Sequence, residues 1–492
     1  MKVTFSAFNL HKSLYSKLII DNWKIDEGSS WAVFATDQDV GSLLLKVLTD
    51  NLKKSDDYTG HVNRTASKVA HVSLIDQQDL LESELAKDDT DFLNRVDIGS
   101  NVYELIFQEC QNEMLTQSLL KELDLGHLQS HGFRQLSSGE TRRIMLARAL
   151  AMEPDFLVLD NILTGLDIAH RQSISRLLTS LSSRDKNPIQ MLVIFSREED
   201  APEWIENIAL FSQGEFKETM VKMSWEQHPL INQIKEQSAV QSQNIVSLIR
   251  RHQYQPNSIE PIFEIKHGQV NYLDNIIFTD IHWRIENRQH WQIQGPNGCG
   301  KSTLLGLIFG DHPQCYSNDI YIFGKKRGTG ETIWDIKKQI GMVSSALHLQ
   351  YRVSCSALQV VLSGFYDSIG LYTIPTRKER EQAKEWLAIL NMSQYETTSF
   401  RQLDYSQQRL LLIARALVKQ PKLLILDEPY QGLDYFGKRL IQTTVDFIAR
   451  ENLSQLLYVS HYEDDHIESI QNTLVFYYDI GLECYRTKVM KL

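Results

Sequence analysis

An α/β architecture present twice in one chain is what the sequence predicts, each copy a largely parallel sheet with helices on both faces. Three observations predict it. Landmark segments of the first half return in order in the second half, short uninterrupted apolar runs alternate with helical stretches, and a glycine-rich loop lies between one such run and a helix.

The repeat is the strongest of the three. "RQLSSGETRRIMLARAL" at Arg134–Leu150 returns as "RQLDYSQQRLLLIARAL" at Arg401–Leu417, 267 residues on. "EPDFLVLDNILTGLD", ending at Asp167, returns as "QPKLLILDEPYQGLD", ending at Asp434, again 267 residues on. "WAVFATDQDVGSLL" from Trp31 pairs with "WQIQGPNGCGKSTL" from Trp291 at an offset of 260. Three matches in one order at nearly one spacing imply duplication of a whole domain. The boundaries that follow are a first domain over 1–220, a polar glutamine-rich linker, helical in part, over 221–260, and a second domain over 261–492.

Within the second copy, Trp291–Gln294 reads as a strand and Lys301–Phe309 as the helix after the glycine-rich loop. Leu423–Leu426 and Leu456–Val459 are apolar throughout, as strands buried on both faces require. Thr376–Leu390, "TRKEREQAKEWLAIL", has helical periodicity and starts just after Pro375.

Composition excludes several classes. No run approaches the roughly 20 apolar residues needed to span a bilayer, and the first residues lack a secretory signal pattern. The expected address is cytoplasmic, with peripheral attachment to the inner face of the cell membrane left open. The five cysteines (Cys110, Cys299, Cys315, Cys355 and Cys484) form no CxxC pair, which argues against a disulfide framework and a cysteine-based metal site. A net charge of −11 is unhelpful to generic nucleic-acid binding.

"GPNGCGKST" at Gly295–Thr303 matches G-x-x-x-x-G-K-[ST]. Gly298 and Gly300 let successive amides turn inward toward phosphates, and the next helix adds its unpaired N-terminal amides. Lys301 can reach the β- and γ-phosphates of ATP, and Ser302 can offer its hydroxyl to Mg²⁺. In "LLILDEP", Asp427 ends a buried strand, where it can hold the Mg²⁺, and Glu428 follows in position to polarise a water.

These motifs together resemble the ATP-binding-cassette (ABC) ATPases, over nearly the whole chain. The fold class so implied is α/β, a phosphate-loop NTPase of ABC type in two tandem copies, each with a helical signature subdomain. The resemblance also implies an intramolecular pairing, in which the two ATPase domains close head to tail and the signature of one completes the ATP site of the other. Carried onto this chain, it makes Tyr272 the aromatic that stacks on adenine and Gly295, Asn297, Gly298, Cys299, Gly300, Lys301, Ser302 and Thr303 the phosphate loop. His461, after the last core strand, becomes a γ-phosphate contact beside the catalytic Lys301 and Glu428. The first-half signature "LSSGE" supplies Ser137, Ser138, Gly139 and Glu140, and Asp167 of the first "GLD" lies near the live site. Ser345 stands where the family has a glutamine.

Each half departs from the pattern where the other keeps it. The first-half loop, "ATDQDVGS" at Ala35–Ser42, has Gly41 in place of Lys301 and aspartates at 37 and 39. Asn161 replaces Glu428, and Arg197 replaces His461. The second-half signature is "LDYSQ" at Leu403–Gln407, with Asp404 for serine and Tyr405 and Ser406 for both glycines. Head-to-tail pairing therefore predicts one complete ATP hydrolysis site, with ATP and Mg²⁺ as its ligands, and one degenerate site.

Within the family, "HWQIQGPNGCGKSTLL" and "LSSGETRR" look like the tandem cassette ATPases associated with bacterial molybdenum-transport operons. That likeness implies the ATP-binding component of a transporter, with an integral membrane permease as partner. The alternative is a non-transport cytosolic ATPase acting as a switch on ribosomes, DNA or a regulatory partner, nucleic acid or ribosome being the lesser of the partner expectations. A nucleotide sensor with slow turnover is a third reading.

Overall fold

The computed structural model describes all residues except 12–16, 37–38, 50, 53–56, 66, 87–98, 137, 164–165, 167, 184–188, 226, 253–260, 273–274, 297, 345–346, 349–350, 352, 431–432, 461–466 and 492. The chain divides into two compact units, Met1–Asn232 and Gln233–Leu492.

The strands of the first unit are β1 (Val3–His11), β2 (Lys17–Ile25), β3 (Trp31–Ala35), β4 (Asp57–Arg64), β5 (Val69–Val72), β6 (Phe156–Asp160), β7 (Gln190–Phe195), β8 (Asn207–Ser212) and β9 (Glu215–Val221). Those of the second are β10 (Phe263–Tyr272), β11 (Asn275–Ile285), β12 (Trp291–Gln294), β13 (Asp319–Ile322), β14 (Lys325–Lys326), β15 (Ile340–Val343), β16 (Leu423–Asp427), β17 (Gln455–Val459), β18 (Asn472–Asp479) and β19 (Cys484–Lys491). Among the described residues each unit forms one sheet, in the orders β4-β1-β2-β9-β8-β3-β7-β6-β5 and β14-β13-β10-β11-β19-β18-β12-β17-β16-β15.

The two orders share one plan. In the second unit β12, β17, β16 and β15 run parallel, and the apolar runs read from the sequence are these strands. Helices cover both faces, so Leu423–Leu426 and Leu456–Val459 are fully buried. Antiparallel pairing of β10 with β11 adds the flank that carries Tyr272. One apolar core lies beneath β10–β12 and the helix Lys301–Phe309, and a second gathers the helical segments around Val360, Trp386, Leu411 and Ile441. The helix expected over Thr376–Leu390 spans Arg377–Ile389, opened by Thr376 and Glu379 in a reciprocal capping box.

Within the polar segment 221–260, expected to be helical in part, the helical content is extensive. Lys222–Trp225 and Pro229–His252 are helices. From Gln233 onward the long helix belongs to the second unit, where Ile245, Leu248 and Ile249 join the core of the helical segments. Ser242 Oγ bonds the carbonyls of Ser238 (2.8 Å) and Leu440 (3.0 Å). Small hydroxylated residues sit on the inward stripe, which is why its periodicity looked polar.

Candidate functional site

In the second unit β12 delivers the chain into the glycine-rich loop. Gly300 takes a left-handed φ of 96°, and a Cβ there would lie 2.8 Å from both Ile277 Cγ2 and Phe278 Cδ1. Both geometry and space demand glycine. Gly300 also caps the helix Lys301–Phe309 and has no side chain to compete for the first-turn amides.

Lys301 is buried, and its ammonium donates to the carbonyls of Gly295 (2.9 Å) and Pro296 (2.8 Å). The charge is thus held at the centre of the loop. Ser302 Oγ donates to Asp427 Oδ2 at 3.2 Å, so the two residues expected to hold Mg²⁺ meet across the gap between the helix and β16. Two oxygens of an octahedral Mg²⁺ shell with bonds of about 2.1 Å stand about 3 Å apart. The donor set, a hydroxyl and a carboxylate, and its spacing both fit the ion. Burial, and next the neighbouring Glu428, push the Asp427 carboxyl up to about 6, while Ser302, Arg409 and Lys301 oppose the rise.

Glu428 follows at the mouth of the strand with a φ of 49°. A non-glycine residue there is uncommon, and its first-unit counterpart Asn161 has a φ of 50°. The turn that aims this position belongs to the fold, and only the second copy places a carboxylate on it.

Tyr272, Ile277, Gly298, Gly300, Lys301, Ser302, Thr303, Asp427 and Glu428 line one cleft of about 360 Å³. Tyr272 is half-exposed, and its hydroxyl lies 2.9 Å from His312 Nε2. His312 Nδ1 accepts from the Gln314 amide, so the neutral ring carries its proton on Nε2 and donates to the tyrosine. That contact fixes one end of a ring whose face is open to a planar base. Cys299, inside the loop, is buried, and burial pushes its thiol above the ordinary range.

Of the expected residues, the structure therefore brings Tyr272, Gly298, Gly300, Lys301, Ser302, Thr303, Asp427 and Glu428 to one cleft, with Gly295 and Cys299 in the loop beside it. Asn297, His461, Ser137, Asp167 and Ser345 lie outside the described residues. In the first unit Ser138 opens the helix Ser138–Ala151, Gly139 is buried and Glu140 is partly buried.

Two residues at the site escaped the sequence reading. Arg409 is fully buried, and its guanidinium reaches the carbonyls of Ser344 (2.9 Å), Asp427 (3.2 Å), Glu428 (2.7 Å) and Pro429 (3.4 Å). It fastens the helix Tyr405–Leu417 to the end of β16. Its signal was present in the repeat, where Arg142 stands at the same place and is also buried. The other is Ile277, which lines the cleft and also meets the Gly300 position.

The departures have structural counterparts. Asp404 caps the helix Tyr405–Leu417 by accepting from the Gln407 amide at 2.8 Å, with Gln407 bonding back. A fixed carboxylate thus takes up a first-turn amide of that helix. In the first unit, Asn161 Nδ2 donates to Asp160 Oδ1 at 2.8 Å, and Ser196 Oγ donates to Asn161 Oδ1 at 2.8 Å. Burial pushes the Asp160 carboxyl up to about 6.

A family model described as ABC transporter matches residues 41–164 and 278–431. The chain belongs to the ABC transporter family. As an ABC ATPase it binds and hydrolyses ATP, with the Mg²⁺ dependence general to phosphate-loop ATPases. It is 38% identical over 467 residues to the ABC transporter ATP-binding protein ModF of Escherichia coli, covering 94% of each chain. An uncharacterized ABC transporter ATP-binding protein of Schizosaccharomyces pombe is 30% identical over 350 residues, 69% of this chain and 68% of that one.

Among solved structures, the archaeal ribosome recycling factor aABCE1, in complex with a ribosomal stalk protein, has a TM-score of 0.59 at 14% identity, covering 98% of this chain and 90% of the other. A model of ribosome-bound archaeal Pelota and ABCE1 gives a TM-score of 0.63 at 15% identity, covering 98% and 78%. At such identities the likeness concerns the ABC fold. These neighbours correct the partner expectation: they are described as ribosome-associated proteins, and the description of neither includes a membrane permease. Among the described residues no helix is long and apolar enough to cross a membrane.

Proposed function

We propose that this ABC ATPase is a non-transport switch of the cytoplasm, in which ATP binding and hydrolysis change the state of a macromolecular target. The observation that carries the catalytic half is the meeting of Ser302 with Asp427 in the cleft that also holds Lys301 and Glu428. Lys301 and the loop amides bind and orient the triphosphate, Tyr272 stacks on the base, and Glu428 accepts a proton from the attacking water. Mg²⁺ held by Ser302 and Asp427 supplies neutralisation of phosphate charge. Turnover further requires Ser137, Ser138, Gly139, Glu140 and Asp167 of the first unit, with His461 and Asn297 of the second. The complementary pattern of intact and degraded motifs supports that requirement.

The switch reading is supported by neighbours that match nearly the whole chain, one described as a ribosome recycling factor and the other as ribosome-bound. A net charge of −11 favours a protein surface over bare nucleic acid as the contact.

The catalytic half is tested by Lys301→Ala and by Gly139→Asp. Both are expected to abolish ATP turnover although they lie in different units, and wild-type turnover in Gly139→Asp would refute the joint requirement. The target is tested by capturing partners of the hydrolysis-deficient Glu428→Gln chain from separated soluble and membrane fractions with ATP present. Enrichment of ribosomes or of one soluble complex supports the switch, and stoichiometric recovery of an integral membrane protein overturns it.

A further inference from the structure

The antiparallel flank of the second unit carries a cluster that ATP chemistry does not use. Asp280 and His282, two apart on β11, point to the same face, and His267 joins them from the neighbouring β10. Asp280 Oδ1 lies 3.0 Å from His267 Nδ1 and 3.0 Å from His282 Nε2. The two imidazole rings meet edge to face with centroids 4.0 Å apart. The three ligand atoms all lie within 4.8 Å of one another. On the other side, Arg486 of β19 donates to Asp280 Oδ2 at 2.7 Å, which leaves Oδ1 turned toward the histidines.

We propose that His267, Asp280 and His282 form a surface site for a divalent transition-metal ion of the zinc class. A tetrahedral ion with bonds of about 2.0–2.1 Å needs ligand atoms about 3.3 Å apart. The 3.0 Å separations from Asp280 Oδ1 require a shift of only a few tenths of an ångström. Two imidazoles with one carboxylate suit Zn²⁺, Co²⁺, Ni²⁺ or Cu²⁺ and disfavour Mg²⁺ and Ca²⁺, which take oxygen ligands. The side chains of His267 (78% exposed) and His282 (51%) leave the remaining position open to water or to a ligand from solution. Arg486 orients the carboxylate from outside the ligand set, the service that a second layer of hydrogen bonds performs in metal sites.

The duplication supplies an internal comparison. Phe5 pairs with Trp23 in β1–β2 as Ile265 pairs with Trp283 in β10–β11. Counted from those pairs, Ala7 and Asn22 stand where the second copy has His267 and His282, while Asp280 lies among register shifts of β10–β11 at a left-handed φ of 53° that the buried Ile20 does not share. Ala7 has a φ of 48° and His267 one of 51°, so the left-handed residue in this strand is common to both copies. The fold makes the bulge, and the second copy alone places ligand atoms on it. A cluster needed to fold the flank would be expected in both.

The test is titration of the full-length protein with ZnCl₂ against a chromophoric chelator, with excess Mg²⁺ present and ATP absent, alongside the visible spectrum after Co²⁺ addition. Wild-type chain and a His61→Gln control are expected to take up about one equivalent and to show a cobalt d–d band without a thiolate charge-transfer band. His282→Gln and Asp280→Asn are expected to weaken uptake on the order of 100-fold, and Arg486→Gln by about tenfold. Circular dichroism checks that these exposed substitutions leave the fold intact. No uptake by wild type, or uptake unchanged in both His282→Gln and Asp280→Asn, overturns the site.

Discussion

The carboxylate of Asp160 lies where a side chain on Gly41 would have to begin: a Cβ at that glycine would stand 2.7 Å from Asp160 Cγ. In the second unit the corresponding position holds the phosphate-loop lysine, Lys301. The first unit therefore lacks the cation, and a side chain at position 41 would have to displace the Asp160 carboxylate. Gly41→Lys is expected to add no ATP turnover and to destabilise the first unit by about 1–3 kcal/mol, the usual cost of overpacking. Thermal unfolding and a steady-state ATPase assay check both parts, and a gain in turnover would contradict the steric argument.

The same aspartate makes stability depend on pH. Its carboxyl is raised from 3.8 to about 6 by burial, so between those values the folded unit keeps a proton that the unfolded chain releases. Unfolding free energy must then fall as pH rises through that window. Asp160→Asn removes the charge, and its melting temperature relative to wild type is expected to rise between about pH 4 and pH 6. A constant difference across that range would count against the assignment.

Glu428 holds its carboxylate on a left-handed backbone, which a longer side chain adopts at a cost and asparagine tolerates better. Glu428→Asn is expected to stop hydrolysis, retain ATP binding and gain about 0.5–1 kcal/mol of stability. Glu428→Gln is expected to be equally inactive without that gain. Denaturant titration of both variants beside wild type separates the backbone effect from loss of charge.

Cys299 is buried inside the phosphate loop with its thiol pushed up by burial. Alkylation near neutral pH is expected to be slow and to become slower with MgATP, because little thiolate forms and the sulfur is covered. Once modified, the loop is expected to lose ATP binding. Mass spectrometry of time points, paired with nucleotide binding by the same samples, checks this, and full binding by alkylated protein would exclude the predicted crowding.

What could be read from the sequence divides by distance along the chain. The phosphate loop, the strand ending in Asp427 and the helix from Arg377 are local statements, each written in consecutive residues with their own spacing and caps. The helix Pro229–His252 was obscured because Ser238 and Ser242 occupy inward positions and satisfy their hydroxyls on backbone carbonyls. Asp404 read as a misplaced charge, whereas its role as a cap depends on the Gln407 amide turning back to it. The cluster at His267, Asp280 and His282 joins two strands and becomes visible only when their register is known.

The four carbonyls gathered by Arg409 come from the ends of two different strands and from the turn that carries Glu428. A planar fork reaches them together, whereas an ammonium would satisfy them piecemeal. The helix Tyr405–Leu417 and the turn that carries Glu428 are thus fastened to each other through one side chain. A tilt of that helix is expected to carry the turn, and with it the Glu428 carboxylate, along.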